Sequence, residues 1–217
     1  MPLDPHLLGI ARRVKGFMPD DEGLALHEAA LAAGRIGPLL EIGTYCGKSA
    51  VYLGAAARAA GTVLFTVDHH RGSEENQPGW EHHDPEVVDP RTGRMDTLPF
   101  FRATMEESGL EDVVIAVVGP SVTVARAWRT PVGFLFVDGG HALDVAMADY
   151  EHWGPHLLPG GTLAIHDVFE DPAEGGQAPF EVWKRAVGDG FEPISTTGSL
   201  RVLRRPPGVH HPPVAVP

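Results

Sequence analysis

Two short segments hold the side chains best suited to chemistry. Phe134-Leu-Phe-Val-Asp138 is an apolar run that ends on an acid, with Gly139-Gly140-His141 just beyond it. Pro159-Gly-Gly-Thr-Leu-Ala-Ile-His166-Asp167 is a glycine turn and an apolar run that ends on a polar pair. Continuous apolar runs of this kind fit strands buried on both faces. If the two strands are adjacent and parallel, Asp138, His166 and Asp167 emerge together at one edge of the sheet. Carboxylates so crowded repel one another unless a cation shares them. Oxygen ligands plus water suit Mg2+ or Mn2+, and an imidazole from His166 shifts the balance toward Mn2+ or another transition metal.

A second chemical segment lies upstream. Leu39-Leu-Glu41-Ile-Gly43-Thr-Tyr45-Cys-Gly47-Lys48-Ser49 starts as an apolar run, turns on two glycines and continues into an alanine-rich stretch to Ala60. That is the pattern of strand, tight loop and helix. The glycines let the backbone bend toward a ligand, which Ser49 and the free amides of the new helix would face. A dinucleotide loop needs Gly-x-Gly-x-x-Gly against a pyrophosphate. Here the strand carries Glu41, which repels a pyrophosphate but holds a ligand bearing an ammonium and a sulfonium. Thr62-Val-Leu-Phe-Thr-Val-Asp68 is the next apolar run. Its terminal acid, roughly 20 residues past the glycine turn, is spaced to accept hydrogen bonds from two ribose hydroxyls. Val113-Val-Ile-Ala-Val-Val-Gly119 reads as a third buried strand, and Ser121 beyond it either sits near an adenine edge or caps a helix.

These groups need a doubly wound sheet, in which ligands lie beyond the carboxyl ends of the strands. The remaining patterns supply its parts. Residues 21–34 predict an amphipathic helix stopped by Gly34, set over the ligand site or against a partner subunit. Further helices are expected from about Ala142 to Trp153 and around Phe180 to Val187, and two short strands about Gly198 form a closing antiparallel hairpin. Residues 69–97 break the pattern. With four histidines, Trp80 and several carboxylates, they suit a lid over a hydroxyl-rich substrate, with Glu75 or Asp84 as a further metal ligand. Trp153 and Trp183 suit the core or an interface.

At 217 residues the chain fits one domain over 1–205, followed by a proline-rich tail over 206–217. A net charge of −12 and a pI near 5.4 oppose a nucleic-acid or membrane-surface partner and leave a small molecule or a neutral polymer. No run approaches the ~20 apolar residues of a membrane span. The single cysteine, Cys46, excludes an internal disulfide, fits small-residue packing in the glycine loop and suits the reducing cytoplasm. A homodimer is the expected assembly.

The glycine loop resembles motif I of the class I S-adenosylmethionine (SAM)-dependent methyltransferases. Phe-Val-Asp138-Gly-Gly-His141 and Leu-x-Pro-Gly-Gly-x-x-x-x-His166-Asp167 are similar to the metal-assisted small-molecule O-methyltransferases. Closest are those acting on sugar hydroxyls of macrolides and bacterial polysaccharides; catechol O-methyltransferase is a more distant match. The likeness runs from about residue 37 to 204. It implies a Rossmann-like α/β fold with a seven-stranded, mostly parallel sheet and helices on both faces. It implies a SAM site formed by Glu41, Gly43, Tyr45, Gly47, Lys48, Ser49, Asp68 and Ser121, and a Mg2+ or Mn2+ site on Asp138 and Asp167. His141, three residues past the first acid, takes the place of the general base. In the catechol branch the residue before the second acid is itself an acidic ligand, and His166 stands there in this chain. The implied reaction is methyl transfer from SAM to a carbohydrate hydroxyl, a mannoside of a polysaccharide among the candidates. Alternatives are a polyketide or catechol-like phenol as acceptor, a SAM-binding module without catalysis and, more distantly, a nicotinamide oxidoreductase.

Overall fold

The computed structural model describes residues 2–73, 76–77, 79–80 and 83–208. The chain enters through helix α1 (Pro5–Arg13), capped by the Asp4 carboxylate accepting from the His6 amide at 2.8 Å, and helix α2 (Asp20–Ala33). Strand β1 (Leu39–Ile42), helix α3 (Lys48–Ala60) and strand β2 (Leu64–Asp68) follow around the glycine loop. A small hairpin of β3 (Val88–Asp89) and β4 (Arg94–Met95) interrupts the long connection to α4 (Leu98–Ser108). The rest alternates: β5 (Val114–Val118), α5 (Ser121–Ala127), β6 (Val132–Val137), α6 (Leu143–Trp153), β7 (Leu157–Ile165) and α7 (Ala178–Gly188). The hairpin β8 (Glu192–Thr197) and β9 (Leu200–Arg204) closes the fold.

The seven-stranded sheet has the order β5-β2-β1-β6-β7-β9-β8, parallel from β5 to β7, with β9 antiparallel to both neighbours. Alternate residues of the central strands feed two core layers. Leu39, Phe134 and Phe136 pack with Leu26 of α2, Leu53 of α3 and Phe101 of α4. Leu40, Ile42, Leu135 and Val137 pack with Tyr150 and Trp153 of α6 and Val182 of α7. Both faces are dry, so these strands are almost wholly apolar; the polar exceptions Glu41 and Thr66 lie under the glycine loop, and Thr162 lies in β7.

Register brings the site together. Ile42 lies level with Val67 and Val137, and Val137 with Ile165. The residues one step further on, Gly43, Asp68, Asp138 and His166, therefore leave the sheet at the same level. Strand order reverses between β1 and β6, the switch point where doubly wound sheets open a crevice. Gly43 is needed there. Its φ is 86°, and a Cβ on it would lie 2.0 Å from the Asp138 carbonyl oxygen, so the turn after β1 can pass the tip of β6 only without a side chain.

Several sequence expectations change. The strand read as buried over 113–119 is the sheet edge, with Ile115 42% and Val118 55% exposed, because among the described residues no strand pairs beyond β5. Helix α2 lies in the core, its Gly23 against the Tyr52 ring of α3, and only its first turn reaches the site. Helix α1 has no counterpart in the sequence reading. In the long connection, His70 is buried and bonded to Thr97 Oγ1 at 2.8 Å, so it does not form a substrate wall. Trp153 lies in the core, as expected, whereas Trp183 stacks on Phe180 at the margin of the same layer. Glu75, His82 and most of the proline-rich tail lie outside the described residues. Among the described residues no helix is long and apolar enough to cross a membrane.

Candidate active site

The glycine loop takes its shape from one carboxylate. Asp68 Oδ2 accepts from the amides of Thr44 and Tyr45, both at 2.9 Å, and Oδ1 accepts from the His70 amide at 2.7 Å. These bonds hold Tyr45 at a φ of 51°, an uncommon conformation for a side-chain-bearing residue. Gly47 caps α3 at a φ of 92° and sits against Phe101, where a Cβ would come within 3.1 Å of the ring.

Glu41 is fully buried beneath this loop. Its Oε2 accepts from Thr66 Oγ1 at 2.5 Å and from Thr44 Oγ1 at 3.4 Å, whereas Oε1 has no hydrogen-bond partner among the described residues. Burial pushes its carboxyl up to about 7, with the nearby Ser49 and Thr66 hydroxyls opposing. A buried acceptor without a donor is costly, and a cationic ligand group arriving over the loop would relieve it.

Above lies a cavity of about 490 Å³, within the range of small-molecule sites. Gly43, Tyr45, Lys48, Ser49 and Asp68 line it together with Asp138, His141, His166 and Asp167. Ser121 also lines it, but Pro120 is the residue that caps α5. The Ser121 hydroxyl instead donates to Asp149 Oδ1 at 2.5 Å and accepts from Trp153 Nε1 at 2.7 Å. Glu41 and Gly47 do not line the cavity; one lies under it and the other behind.

At the strand ends, one donor atom from each of Asp138, His141 and Asp167 lies within 4.8 Å of the other two. Two carboxylate oxygens and an imidazole nitrogen at this spacing fit a divalent cation. Asp167 adopts a φ of 54°, which turns its carboxylate back toward Asp138, and His141 Nε2 is 3.2 Å from Asp167 Oδ2. His166 sits differently from expectation. It is 3% exposed, behind both acids, with Nδ1 3.2 Å from Asp138 Oδ1 and 3.4 Å from Asp167 Oδ2, while Nε2 is 2.5 Å from Glu22 Oε2. Burial opposes its charge, but the three surrounding acids push the imidazole up to about 12. Burial raises the Asp138 carboxyl, whereas hydrogen bonds from His141 and His166 outweigh burial at Asp167 and hold it well below the usual range. The loop acid Asp84 is not part of this cluster; it pairs with Lys15 Nζ at 2.5 Å, as does Glu86.

Three site groups escaped the sequence reading. The segment between α1 and α2 contributes Lys15, Phe17 and Met18 to the cavity wall, with the Phe17 ring 5.8 Å from that of Tyr45. Glu22 reaches His166 from α2. Asp149 lines the cavity from the apolar face of α6, between Ala146, Tyr150 and Trp153. The signal for both acids was the same, a carboxylate within an apolar helical stripe.

Burial pushes the Asp149 carboxyl up to about 6, with Ser121 opposing. The folded state therefore favours the protonated acid, and stability present at low pH is lost as pH rises through about 6. Asp149→Asn keeps an acceptor for Ser121. It is expected to stabilise the ligand-free protein at pH 8 by roughly 2–3 kcal/mol, the gain shrinking as pH falls toward 4. Urea denaturation across that range measures it; a gain independent of pH would exclude charge as its cause.

A doubly wound sheet with this switch-point cavity and a closing antiparallel hairpin defines the class I methyltransferase architecture. The chain belongs to the methyltransferase domain family, whose profile matches residues 40–168, more than half of its length. Solved structures share the fold. The O-methyltransferase NovP superposes with a TM-score of 0.65 at 14% identity, covering 87% of this chain and 81% of that one. A Bacillus cereus O-methyltransferase in complex with SAH gives 0.62 at 17%, covering 94% and 93%. TomG from Streptomyces achromogenes, involved in tomaymycin synthesis and solved with SAM, gives 0.62 at 18%, covering 95% and 92%.

Proposed function

We propose that this protein transfers a methyl group from SAM to a hydroxyl of a small-molecule or oligosaccharide acceptor, a carbohydrate hydroxyl before others, using a divalent cation at Asp138 and Asp167. One observation carries the reading: the Asp138, His141 and Asp167 cluster faces the same cavity as the glycine loop. Bound SAM supplies an electrophilic methyl group, and a bound Mg2+ or Mn2+ supplies Lewis acidity toward the acceptor hydroxyl.

The chain's own residues do the rest. Glu41, buried beneath the loop, would favour the ammonium of the methionine moiety through its charge, across the loop that Lys48 and Ser49 continue into α3. Asp68 meets the ribose, and Ser121 lies on the adenine side. Asp167 accepts the Nε2–H of His141 at 3.2 Å, which selects the tautomer with its basic lone pair on Nδ1. His141 then takes the acceptor's proton as the oxygen gains the methyl group, a role to which imidazole is matched near neutral pH. Opposite charges vanish in this transfer, so alignment and exclusion of water dominate the barrier. Lys15, pairing with Asp84 and Glu86, ties the wall at Phe17 to the long connection and serves that exclusion. The proposal takes residues 1–205 as one catalytic domain. It also takes the working form to be a cytoplasmic homodimer, in keeping with an unbridged Cys46 and an apolar edge at Ile115 and Val118.

TomG, involved in tomaymycin synthesis, shares the fold, and a second reading of the same site takes a polyketide or phenolic hydroxyl as the acceptor. Labelled SAM offered with a panel of sugars and phenols, with and without Mg2+ or Mn2+, separates the two. Cation-dependent label on sugars supports the first, and label confined to phenols the second. Asp68→Ala is expected to weaken SAM binding roughly 10- to 100-fold by calorimetry, the loss of charge-assisted hydrogen bonds. Unchanged affinity would reduce Asp68 to a loop anchor.

A further inference from the structure

Glu22 is a carboxylate where α2 presents its apolar face to the core, 4% exposed, yet each of its oxygens is engaged. Oε1 accepts from the Ser199 amide at 2.5 Å; Oε2 accepts from Ser199 Oγ at 3.2 Å and lies 2.5 Å from His166 Nε2. The β8–β9 turn is built around this carboxylate. Gly198 has a φ of 51°, and a Cβ there would stand 2.1 Å from Glu22 Oε1. A buried acid so enclosed has one orientation, and it imposes one on its partner. By accepting from Nε2–H, Glu22 aims the other nitrogen of His166 at Asp138 and Asp167, at 3.2 and 3.4 Å. A carboxylate behind an imidazole is the arrangement that fixes ring orientation and tautomer in histidine–metal sites.

We propose that Glu22 is a positioning residue of the candidate cation site, holding His166 so that Nδ1, its proton released to solvent as the cation binds, would be a nitrogen donor to the cation shared by Asp138 and Asp167, and thereby favouring Mn2+ over Mg2+. The inference rests on the metal reading above and extends it to ion choice, because Mg2+ keeps to oxygen ligands and Mn2+ accepts imidazole more readily. It also joins α2 and the terminal hairpin to the site, so that three distant parts of the chain set the geometry of one donor.

Calorimetric titration of the full chain with MnCl2 and MgCl2, wild type against Glu22→Gln, tests it. The expected result is Mn2+ bound more tightly than Mg2+ by the wild type. In the variant, Mn2+ affinity falls roughly 10- to 100-fold while SAM affinity is unchanged. Wild-type-like Mn2+ affinity in a folded Glu22→Gln protein overturns the role of Glu22 and leaves the metal reading standing. SAM affinity falling in step with Mn2+ affinity marks general damage and also overturns it. A wild type that binds neither ion removes the metal reading and this inference together. If Glu22→Gln fails to fold, imidazole 15N spectra of the wild type decide, with His166 assigned by comparison with His166→Gln. Addition of diamagnetic Zn2+ should shift Nδ1 of His166 while Nε2 stays protonated, and a proton retained on Nδ1 overturns the proposal.

Discussion

Asp138→Ala is expected to lower kcat by roughly 10³-fold, about 4 kcal/mol of transition-state stabilisation, while SAM affinity stays within a few fold of wild type. The residue stands at the tip of β6, where its backbone serves the fold independently of its side chain. Its amide donates to the Ile42 carbonyl at 2.9 Å, and its own carbonyl lies against Gly43. Alanine keeps both contacts. What is lost is one of two carboxylates in the strand-end cluster, and with it the means of holding a cation beside the cavity. The lost side chain is 22% exposed at the cavity, and its removal gives up the contact with His166 Nδ1, so the variant is expected to fold with some loss of stability. Measuring kcat at saturating SAM, SAM affinity by calorimetry and thermal unfolding together distinguishes a catalytic loss from a structural one. Near-wild-type turnover would take Asp138 out of the reaction.

His141→Ala is expected to cut kcat by roughly 10²- to 10⁴-fold, the usual contribution of a positioned general base, without loss of fold. The ring lies in the loop between β6 and α6, only partly buried and in contact with Asp167, so little packing depends on it. One of its ring nitrogens is also near enough to both acids to ligate, and a nitrogen that binds a cation has no lone pair left to take a proton. The proposed division of labour gives the cation to the two acids and His166, and the proton to His141. Mn2+ affinity measured on the same variant should then change much less than kcat. An equal collapse of both would move His141 from base to ligand, and an unchanged kcat would remove it from the mechanism.

The segments legible in the sequence were those in which local pattern and final environment agree. Strands buried on both faces leave unbroken apolar runs, so β1, β2, β6 and β7 and the acids at their ends stood out, as did the glycine turn after β1. The apolar run of β5 looked the same but became a sheet edge, because strand order is a property of the whole sheet and leaves no mark within one strand. The two buried helix acids were hidden for a related reason. Glu22 lies 144 residues from His166, and Asp149 lies 28 from Ser121. In each case the partner that makes the buried carboxylate tolerable comes from a distant element. His166 was noticed as a ligand candidate, but the acid behind it, which gives that nitrogen its direction, was not.

Removal of divalent metal tests the central claim most directly. Protein stripped by exhaustive chelation, then assayed for transfer of labelled methyl to its acceptor with SAM affinity followed in parallel, should fall to background turnover. It should recover when Mg2+ or Mn2+ is restored, with SAM binding the same throughout. Turnover that persists undiminished in the stripped protein would contradict a cation at Asp138 and Asp167 and leave His141 and Asp167 to act alone.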